Sequence, residues 1–309
     1  MTLQQLEYIL AVDRFRHFAK AAEYCSVTQP TLSTMIQKLE EELDAKIFDR
    51  LQQPIVPTPV GIHILEQARK IVEESGRMKQ IVEEETRSLK GTFRLGILPT
   101  IAPYLLPRFF PQLMRKYPEM DVRMMEMKTA DIKKALRHGE IDAGIVALLS
   151  GMEDLEQTSL FYEDFCAYVS KGDPLYEKSV VRTADLQAKR QLWMLDEGHC
   201  FRDQLVKLCQ LQAAKASRVA YHLGSIETFM RMVESGEGVT FIPALATFQL
   251  NDWQKELVRP FAVPTPARHI VMITGKYFIR NVLRDVLVKE IKSSVPSSML
   301  SPKPSQIVV

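Results

Sequence analysis

The sequence predicts an α+β multidomain protein with an N-terminal winged helix-turn-helix, a long linker helix and a C-terminal α/β domain of two lobes. Apolar residues recur at helical spacing in the first sixty residues. A helical pattern then continues from residue 59 to about residue 86 with no proline after its start. Beyond residue 91, strand-like and helical stretches alternate over about 200 residues, which exceeds one ordinary doubly wound unit.

The composition excludes several classes of protein. Of the 309 residues, 46% are hydrophobic and 25% are charged, which is typical of a globular protein. The net charge of +2 indicates no polyanionic partner by itself. The four cysteines do not form a disulfide framework, which favours a reducing compartment and hence the cytoplasm. Since no apolar run is long enough to span a bilayer and no signal-peptide pattern occurs, we expect no membrane contact.

The N-terminal module is predicted to contain three helices and a hairpin. Thr28 is a favourable N-cap, and Pro30 fits the first turn of a third helix over residues 29–43. Residues 46–57 predict a short hairpin, or wing. This arrangement is typical of a helix presented to the DNA major groove. An ordinary packing module is the alternative, and the charge favours it, because residues 1–60 carry six Lys and Arg against eight Asp and Glu.

The long helix that follows is predicted to pair two chains. Thr58 and Pro59 mark its start as cap and first helical residue. Residues at alternating spacings of four and three form a heptad seam: Ile64, Ala68, Ile71, Ser75, Met78 and Val82. Packing against its own domain would also explain an apolar stripe, but the length, narrow seam and charged flanks favour a homodimer. Two recognition helices joined in this way should read half-sites spaced by whole DNA turns.

The C-terminal region is predicted to alternate strands and helices. The expected strands are residues 93–98, 122–127, 143–148, 165–169, 192–195, 219–223, 239–242 and 270–273. The expected helices include residues 102–116, 131–138, 201–213 and 226–234. This order implies parallel sheets in two lobes. The predicted domains are therefore a DNA-binding domain (1–58), a linker helix (59–88), a regulatory domain (91–295) and a flexible, Ser/Pro-rich tail (296–309).

The cysteines differ in their surroundings. Cys25 and Cys166 lie on predicted apolar faces and are interpreted as packing residues. Cys200 lies where a strand ends and a helix begins, so the helix N-terminus, His199 and Arg202 all favour its thiolate. Two acidic neighbours oppose this effect. On these residues alone, a reactive thiol and an inert core cysteine are equally good interpretations of Cys200.

Cys209 favours the reactive interpretation because of its distance from Cys200. The two Cα atoms lie about 13 Å apart if the intervening residues are helical, whereas a disulfide requires a separation within about 7 Å. A bond between them would therefore require the segment to unwind, and oxidation would be a conformational change. We predict no metal site, because Cys-x8-Cys with His199 lacks the usual ligand spacing and a fourth ligand. No cofactor is predicted.

Several motifs of the first 65 residues resemble those of a known family. They are Phe18-Ala19-Lys20-Ala21-Ala22, residues 27–33, residues 36–40, Leu43, residues 47–50 and residues 57–61. On these motifs, residues 1–65 resemble the DNA-binding domain of LysR-type transcriptional regulators. The DNA-binding residues implied by the resemblance are Thr28, Gln29, Pro30, Thr31, Ser33, Lys38 and Arg50. We add Thr34, because it is a further polar side chain at the start of the same helix. Met35, Gln37 and a wing without the usual basic residues depart from the family pattern, so we expect fewer phosphate contacts and a shallower salt dependence.

The similarity continues through residue 292 and indicates the hydrogen-peroxide-sensing branch of this family. It is carried by residues 99–100, 103–107, 197–204, Cys209, 225–228 and 242–246. It implies a periplasmic-binding-protein-like regulatory domain in which hydrogen peroxide oxidises Cys200, the peroxidatic thiol, to a sulfenic acid. Cys209, the resolving thiol, would then form a disulfide with it. The implied peroxide pocket consists of Thr100, Thr129, His199 and Arg202.

The partners implied by the resemblance are double-stranded DNA, hydrogen peroxide, a thiol reductant and RNA polymerase, in a homodimer or homotetramer. Two other functions stay open. A regulator of the same family could bind a small molecule between its lobes, with Cys200 and Cys209 incidental. A thiol peroxidase is the third hypothesis, but an enzyme would need neither a DNA-binding module nor a pairing helix, so we predict that the protein is not an enzyme.

Overall fold

The computed structural model describes residues 1–85, 89–187, 191–195, 200–209, 225–236 and 238–308. It divides the chain into two compact units, Met1–Arg87 and Ser88–Val309. Within the described residues, every helix is too short or too polar to cross a membrane.

The first unit contains the predicted winged helix-turn-helix and the linker helix, which confirms this part of the fold. Its elements are α1 (Leu3–Phe15), α2 (Phe18–Tyr24), α3 (Gln29–Glu42), β1 (Phe48–Asp49), β2 (Val56–Pro57) and α4 (Pro59–Glu85). Thr28 caps α3 as predicted, since its side chain accepts a hydrogen bond from the backbone N–H of Thr31. The two wing strands pair antiparallel, Phe48 opposite Pro57.

The recognition helix is fixed on an apolar core and by one buried carboxylate. Leu32, Ile36 and Leu39 are fully buried on the inner face of α3. The side chain of Glu40 is also fully buried, and its Oε1 accepts hydrogen bonds from the backbone N–H groups of Ile47 (2.9 Å) and Phe48 (3.4 Å). A buried carboxylate needs such donors, so Glu40 joins α3 firmly to the base of the wing.

The predicted seam along α4 has two parts. Ala68 is only 1% exposed and belongs to the core of its own unit, and Ile64 packs against that core. The expectation that Ala68 faces a partner is therefore wrong, because α4 uses this turn to pack on α1. Ile71 and Met78 are exposed, at 43% and 66%, and Ser75 is half-buried. The side chain of Val82 lies outside the described part of the chain.

The second unit is built on a large mixed sheet. Its strands are β3 (Gly91–Ile97), β4 (Met120–Glu126), β5 (Ala143–Ala147), β6 (Leu155–Val169), β7 (Val239–Pro243), β8 (Val258–Pro260), β9 (Thr265–Gly275) and β10 (Gln306–Val308). Its helices are α5 (Ala102–Lys116), α6 (Thr129–Arg137), α7 (Cys200–Cys209), α8 (Ile226–Glu234), α9 (Asp252–Lys255) and α10 (Asn281–Ser294). Short 3₁₀ turns occur at Pro174–Glu177, Thr183–Gln187, Ala244–Gln249 and Ser297–Met299.

The expectation of parallel sheets is wrong for most of this unit. The strand order is β4-β3-β5-β9-β6-β7, with β8 on β6 and β10 on β9. Only β3 with β4, β3 with β5 and β10 with β9 run parallel among the described strand pairs. The long strands β6 and β9 run antiparallel and continue from one lobe towards the other, because the first part of β6 pairs with β9 and its last residues pair with β7 and β8.

Four further predictions for this unit differ from the structure or fall outside it. Residues 192–195 form no strand, although Leu192 makes an isolated bridge to Val239. The predicted strand 219–223 and the end of the predicted helix 201–213 lie outside the described residues. In the predicted flexible tail, Ser297–Met299 forms a 3₁₀ turn and Gln306–Val308 pairs in parallel with β9.

Candidate functional site

The start of α3 presents a polar, solvent-exposed surface. Thr28, Gln29, Pro30, Thr31, Thr34 and Lys38 are exposed, and Ser33 is half-buried. The hydroxyls of Thr28 and Thr31 lie 2.8 Å apart. These are the residues for which the sequence predicts DNA contacts, and side chains of this kind can hydrogen-bond to base edges in a major groove.

Arg50 is held by its own module. Its guanidinium lies 3.2 Å from Glu40 Oε2 and 3.4 Å from the hydroxyl of Ser33, and it covers the ring of Phe18 at 5.1 Å from the ring centre. A guanidinium has five N–H donors, so these contacts orient Arg50 beside α3 and leave donors for a phosphate. The Glu40 carboxylate nevertheless offsets part of the positive charge that a DNA backbone would meet.

The second candidate site is formed around Cys200, the first residue of α7, which is only 4% exposed. Thr129, the first residue of α6, lies beside the thiol and acts on its pKa through hydrogen bonding. The Thr129 oxygen is itself buried, and apart from this weak interaction with the sulfur it has no hydrogen-bond partner within the described residues. The structure therefore brings these two predicted site residues together and leaves a buried hydroxyl available next to the sulfur.

Thr100 joins the site through Arg268. Arg268 lies on β9 and is 1% exposed; it donates to the hydroxyl of Thr100 at 3.0 Å and to the Thr100 carbonyl at 2.9 Å. Its guanidinium also covers the ring of Phe201, at 5.0 Å from the ring centre. Thr100 does not cap the helix that follows it, since the N-cap of α5 is Ile101 and no side chain caps that helix.

Arg268 is neutralised by a buried partner. Glu163, directly opposite on β6, accepts from Arg268 Nε at 2.9 Å, and its other carboxylate oxygen accepts from the backbone N–H of Leu245 at 2.9 Å. Both charged side chains are 1% exposed. Removing one member of such a pair leaves an uncompensated buried charge. The pair therefore fixes the Arg268 guanidinium in place, next to Thr100 and Phe201.

The pKa of Cys200 is raised above the ordinary thiol value. The largest cause is burial, and it is opposed by hydrogen bonding with Thr129, by the charge of Arg268 and by the backbone N–H of Phe201. Burial also raises the pKa of Cys25, and it raises the pKa of Cys166 to about 12. Cys200 is thus the described cysteine for which a cation and donors act against the cost of burial.

The helix between the two predicted redox cysteines is present. Because α7 runs from Cys200 to Cys209, their Cα atoms are separated by about 13 Å at the usual helical rise. That separation excludes a disulfide in this conformation. The side chain of Cys209 and all of His199 lie outside the described residues. Arg202 lines a small apolar pocket with Trp193 and Phe229.

Sequence reasoning missed Arg268 and Glu163. A signal was available: each is a charged residue in a largely apolar strand, at residues 267–273 and 160–169, although the second stretch also contains Asp164. Charged side chains are almost never fully buried unless paired. Two such residues in separate strands therefore predict an internal ion pair, although not its position beside Cys200.

The chain matches two family models. Residues 3–62 match the bacterial regulatory helix-turn-helix protein, lysR family, and residues 86–280 match the LysR substrate binding domain. A hydrogen peroxide-inducible genes activator of Pectobacterium carotovorum subsp. carotovorum is 33% identical over 273 residues, which cover 88% of this chain and 90% of that protein.

Solved structures resemble the chain over nearly its whole length. A cysteine-to-aspartate variant of full-length OxyR from Pseudomonas aeruginosa is 34% identical, with a TM-score of 0.74, over 96% of this chain and 99% of that one. A cysteine-to-serine mutant of OxyR from Corynebacterium glutamicum, with hydrogen peroxide bound, is 26% identical, with a TM-score of 0.62, over 95% of this chain and 92% of that one.

Proposed function

The chain belongs to the LysR family of bacterial regulatory proteins, and we propose that it is a DNA-binding transcriptional regulator that senses hydrogen peroxide through Cys200. The observation that carries this proposal is the position of Cys200 between the hydroxyl of Thr129 and the buried cation of Arg268. The relatives named as hydrogen peroxide-inducible activators and as OxyR support it.

The first chemical step is oxidation of the thiolate. Cys200 Sγ attacks one oxygen of hydrogen peroxide, the O–O bond breaks, and a sulfenic acid and hydroxide form. Thr129 and Thr100 offer hydroxyl donors to the leaving oxygen. Since the Thr100 oxygen accepts from Arg268, its own O–H is directed away from that guanidinium. His199 is proposed as a further donor, and Arg202 as a member of the pocket wall.

The second step couples the chemistry to the fold. The thiolate of Cys209 attacks the sulfur of the sulfenic acid, hydroxide leaves, and a disulfide forms. This step requires the α7 helix to unwind, because the two Cα atoms must approach by about 6 Å or more from their helical separation. Unwinding also displaces Phe201, whose ring contacts Arg268 and Phe165. Oxidation would therefore rearrange the packing of the regulatory domain, and a thiol reductant would reset it.

The readout is proposed to be DNA contact by α3. Its exposed residues would read bases, with Thr28, Lys38 and Arg50 near the backbone, and a homodimer would be joined through Ile71, Ser75 and Met78 on α4, with a homotetramer of two such dimers. A regulator of this kind acts on RNA polymerase at promoters, in the cytoplasm where the DNA lies. A single stoichiometric oxidation serves this purpose, so the protein is proposed to be a sensor and not a peroxidase.

The experiment that tests this proposal uses reduced protein and stoichiometric hydrogen peroxide. Free thiols are counted, and the peptides carrying Cys200 and Cys209 are mapped by mass spectrometry. We expect loss of these two thiols, formation of one disulfide between them, and a changed DNA footprint. Retention of both thiols at low peroxide would contradict sensing and favour a small-molecule ligand. Sustained peroxide consumption with a reductant would favour a thiol peroxidase.

A further inference from the structure

The edge of β9 behind the sensor site is covered by β10. On one edge, β9 pairs with β6 from Ala267 to Gly275. Its opposite edge pairs with β5 from Ile270 to Thr274 and with β10 from Thr265 to Ala267. The backbone N–H of Thr265 donates to the carbonyl of Ser305 at 2.7 Å. Since β5 ends before Ala267, the β10 segment is what completes this edge at Ala267.

Side chains of the same segment also hold β6. Gln306 Nε2 donates to Asp164 Oδ1 at 2.5 Å, and Lys303 Nζ lies 3.5 Å from Asp164 Oδ2. Asp164 is the residue of β6 directly opposite Ala267. Residues 303–308 therefore attach to β9 through the backbone and to β6 through one carboxylate, and both attachments lie at the cross-strand pair of Asp164 and Ala267.

The adjacent cross-strand pair of β6 and β9 is the buried ion pair of the sensor site. Glu163 and Arg268 follow Asp164 and Ala267 in the antiparallel register. Because neighbouring residues of a strand lie only about 3.3 Å apart, a displacement of β9 at Ala267 also displaces Arg268 by nearly the same amount. Arg268 in turn donates to Thr100 and covers Phe201, the neighbour of Cys200.

The effect of Arg268 on Cys200 depends on this position. The groups acting on the thiol are Thr129 from α6, Arg268 from β9, and the backbone N–H of Phe201 and the carboxylate of Asp203 from α7. Glu163 from β6 faces it through Arg268. The interaction between charges grows as the distance and the local dielectric constant fall. A small retreat of the guanidinium from this buried site therefore weakens its support of the thiolate.

We propose that residues 303–308 are a positioning element of the sensor, which holds Arg268 near Cys200 by fixing β9 and Asp164. The proposal rests on the proposed function in one respect, that Cys200 is the thiol that reacts with peroxide. The segment touches neither the sulfur nor the peroxide, and it acts through Arg268.

The test compares the full chain with a double variant, Lys303→Ala with Gln306→Ala. Lys178→Ala is the matched control, because it breaks a different exposed Lys–Asp pair, with Asp185 at 2.6 Å. Alkylation of the Cys200 peptide by iodoacetamide is followed by mass spectrometry across pH, and the rate with hydrogen peroxide is measured separately. We expect the alkylation profile of the double variant to shift to higher pH. We also expect its rate with hydrogen peroxide to fall about threefold, which is within the range over which residues packed near a site modulate it. The control should match the unsubstituted chain.

Two further variants keep the outcome decisive. Asp164→Asn removes the charge that Lys303 meets while keeping the side-chain shape, and it should shift the profile in the same direction. In a background that lacks the buried charge pair, Arg268→Gln with Glu163→Gln, the double variant should add no further shift. An unchanged alkylation profile, even with a lowered melting temperature, would overturn the positioning role. If the unsubstituted chain fails to react with peroxide, the proposed function fails, while the alkylation profiles still decide the role of residues 303–308.

Discussion

Replacing Thr129 by valine is expected to lower the rate at which Cys200 reacts with hydrogen peroxide and, at the same time, to raise the free energy of unfolding. The Thr129 hydroxyl is buried beside Cys200 without a well-formed hydrogen bond within the described residues. A hydrogen bond to a charged group contributes about 1.5 to 3 kcal/mol. Because 1.4 kcal/mol corresponds to about tenfold, losing this donor to the thiolate should lower the rate with hydrogen peroxide by about tenfold to a hundredfold. The Cys200 pKa should rise further.

The stability of the same variant should change in the opposite direction. An unpaired buried hydroxyl costs about 1 to 3 kcal/mol in proteins, so Thr129→Val should raise the free energy of unfolding by about 1 kcal/mol. Thr240→Val is the matched control, because the Thr240 hydroxyl is also buried but donates to the Trp193 carbonyl at 2.9 Å. It should lose about 1 kcal/mol and keep the peroxide rate.

The assays are stopped-flow oxidation of the reduced protein and denaturant unfolding under reducing conditions. An unchanged peroxide rate in Thr129→Val would refute a role of the hydroxyl at the thiol. A loss of stability equal to that of Thr240→Val would show that the hydroxyl is already satisfied in the folded protein. The first result would require a different source of thiolate support, and the second would contradict the predicted gain in stability.

Three other perturbations have expected outcomes. Cys209→Ser should retain oxidation of Cys200 but stop at the sulfenic acid, which dimedone labels; a variant that gives no adduct after peroxide would contradict the order of the two steps. Ile71→Glu with Met78→Glu should dissociate the protein in sedimentation experiments and weaken DNA binding, since both exposed side chains lie on the proposed pairing face of α4; an unchanged sedimentation coefficient would remove α4 from the interface. Finally, the raised pKa of Cys200 means that the folded state binds the thiol proton more tightly than the unfolded chain does. The resulting contribution to stability is complete below the unfolded pKa of about 8.5. It is lost as the pH rises through the folded pKa. Cys200→Ser should therefore show a smaller fall in unfolding free energy between pH 8 and 10, and equal slopes in both proteins would contradict the raised pKa.

The local signals in the sequence were sufficient for elements set by nearby residues. Thr28 caps α3, and Pro59 begins α4, because capping and the fixed φ of proline act within one turn. Cys200 begins α7, one residue before the start of the predicted helix 201–213, although the strand predicted at 192–195 does not form. These positions placed the candidate nucleophile at a helix N-terminus.

Features set by distant residues were not predictable in the same way. The direction of β9 relative to β5 and β6 depends on how the chain returns to the sheet, which a local pattern of apolar residues does not encode. Arg268 reaches the site from 68 positions after Cys200 in the numbering. The polar composition of residues 296–309 predicted disorder, but backbone pairing of Gln306–Val308 depends on the edge that β9 offers.

In the proposed mechanism, the intact α7 helix delays the reaction of Cys209 with the sulfenic acid at Cys200. The sulfenic acid must wait for a local opening, and such openings take microseconds to seconds. During that wait a second peroxide could oxidise it to the irreversible sulfinic acid. The 4% exposure of Cys200 limits that second encounter while the helix is closed. The rate of helix opening therefore competes with the rate of a second oxidation by peroxide. The ratio of these two rates determines the peroxide concentration at which reversible oxidation gives way to irreversible oxidation.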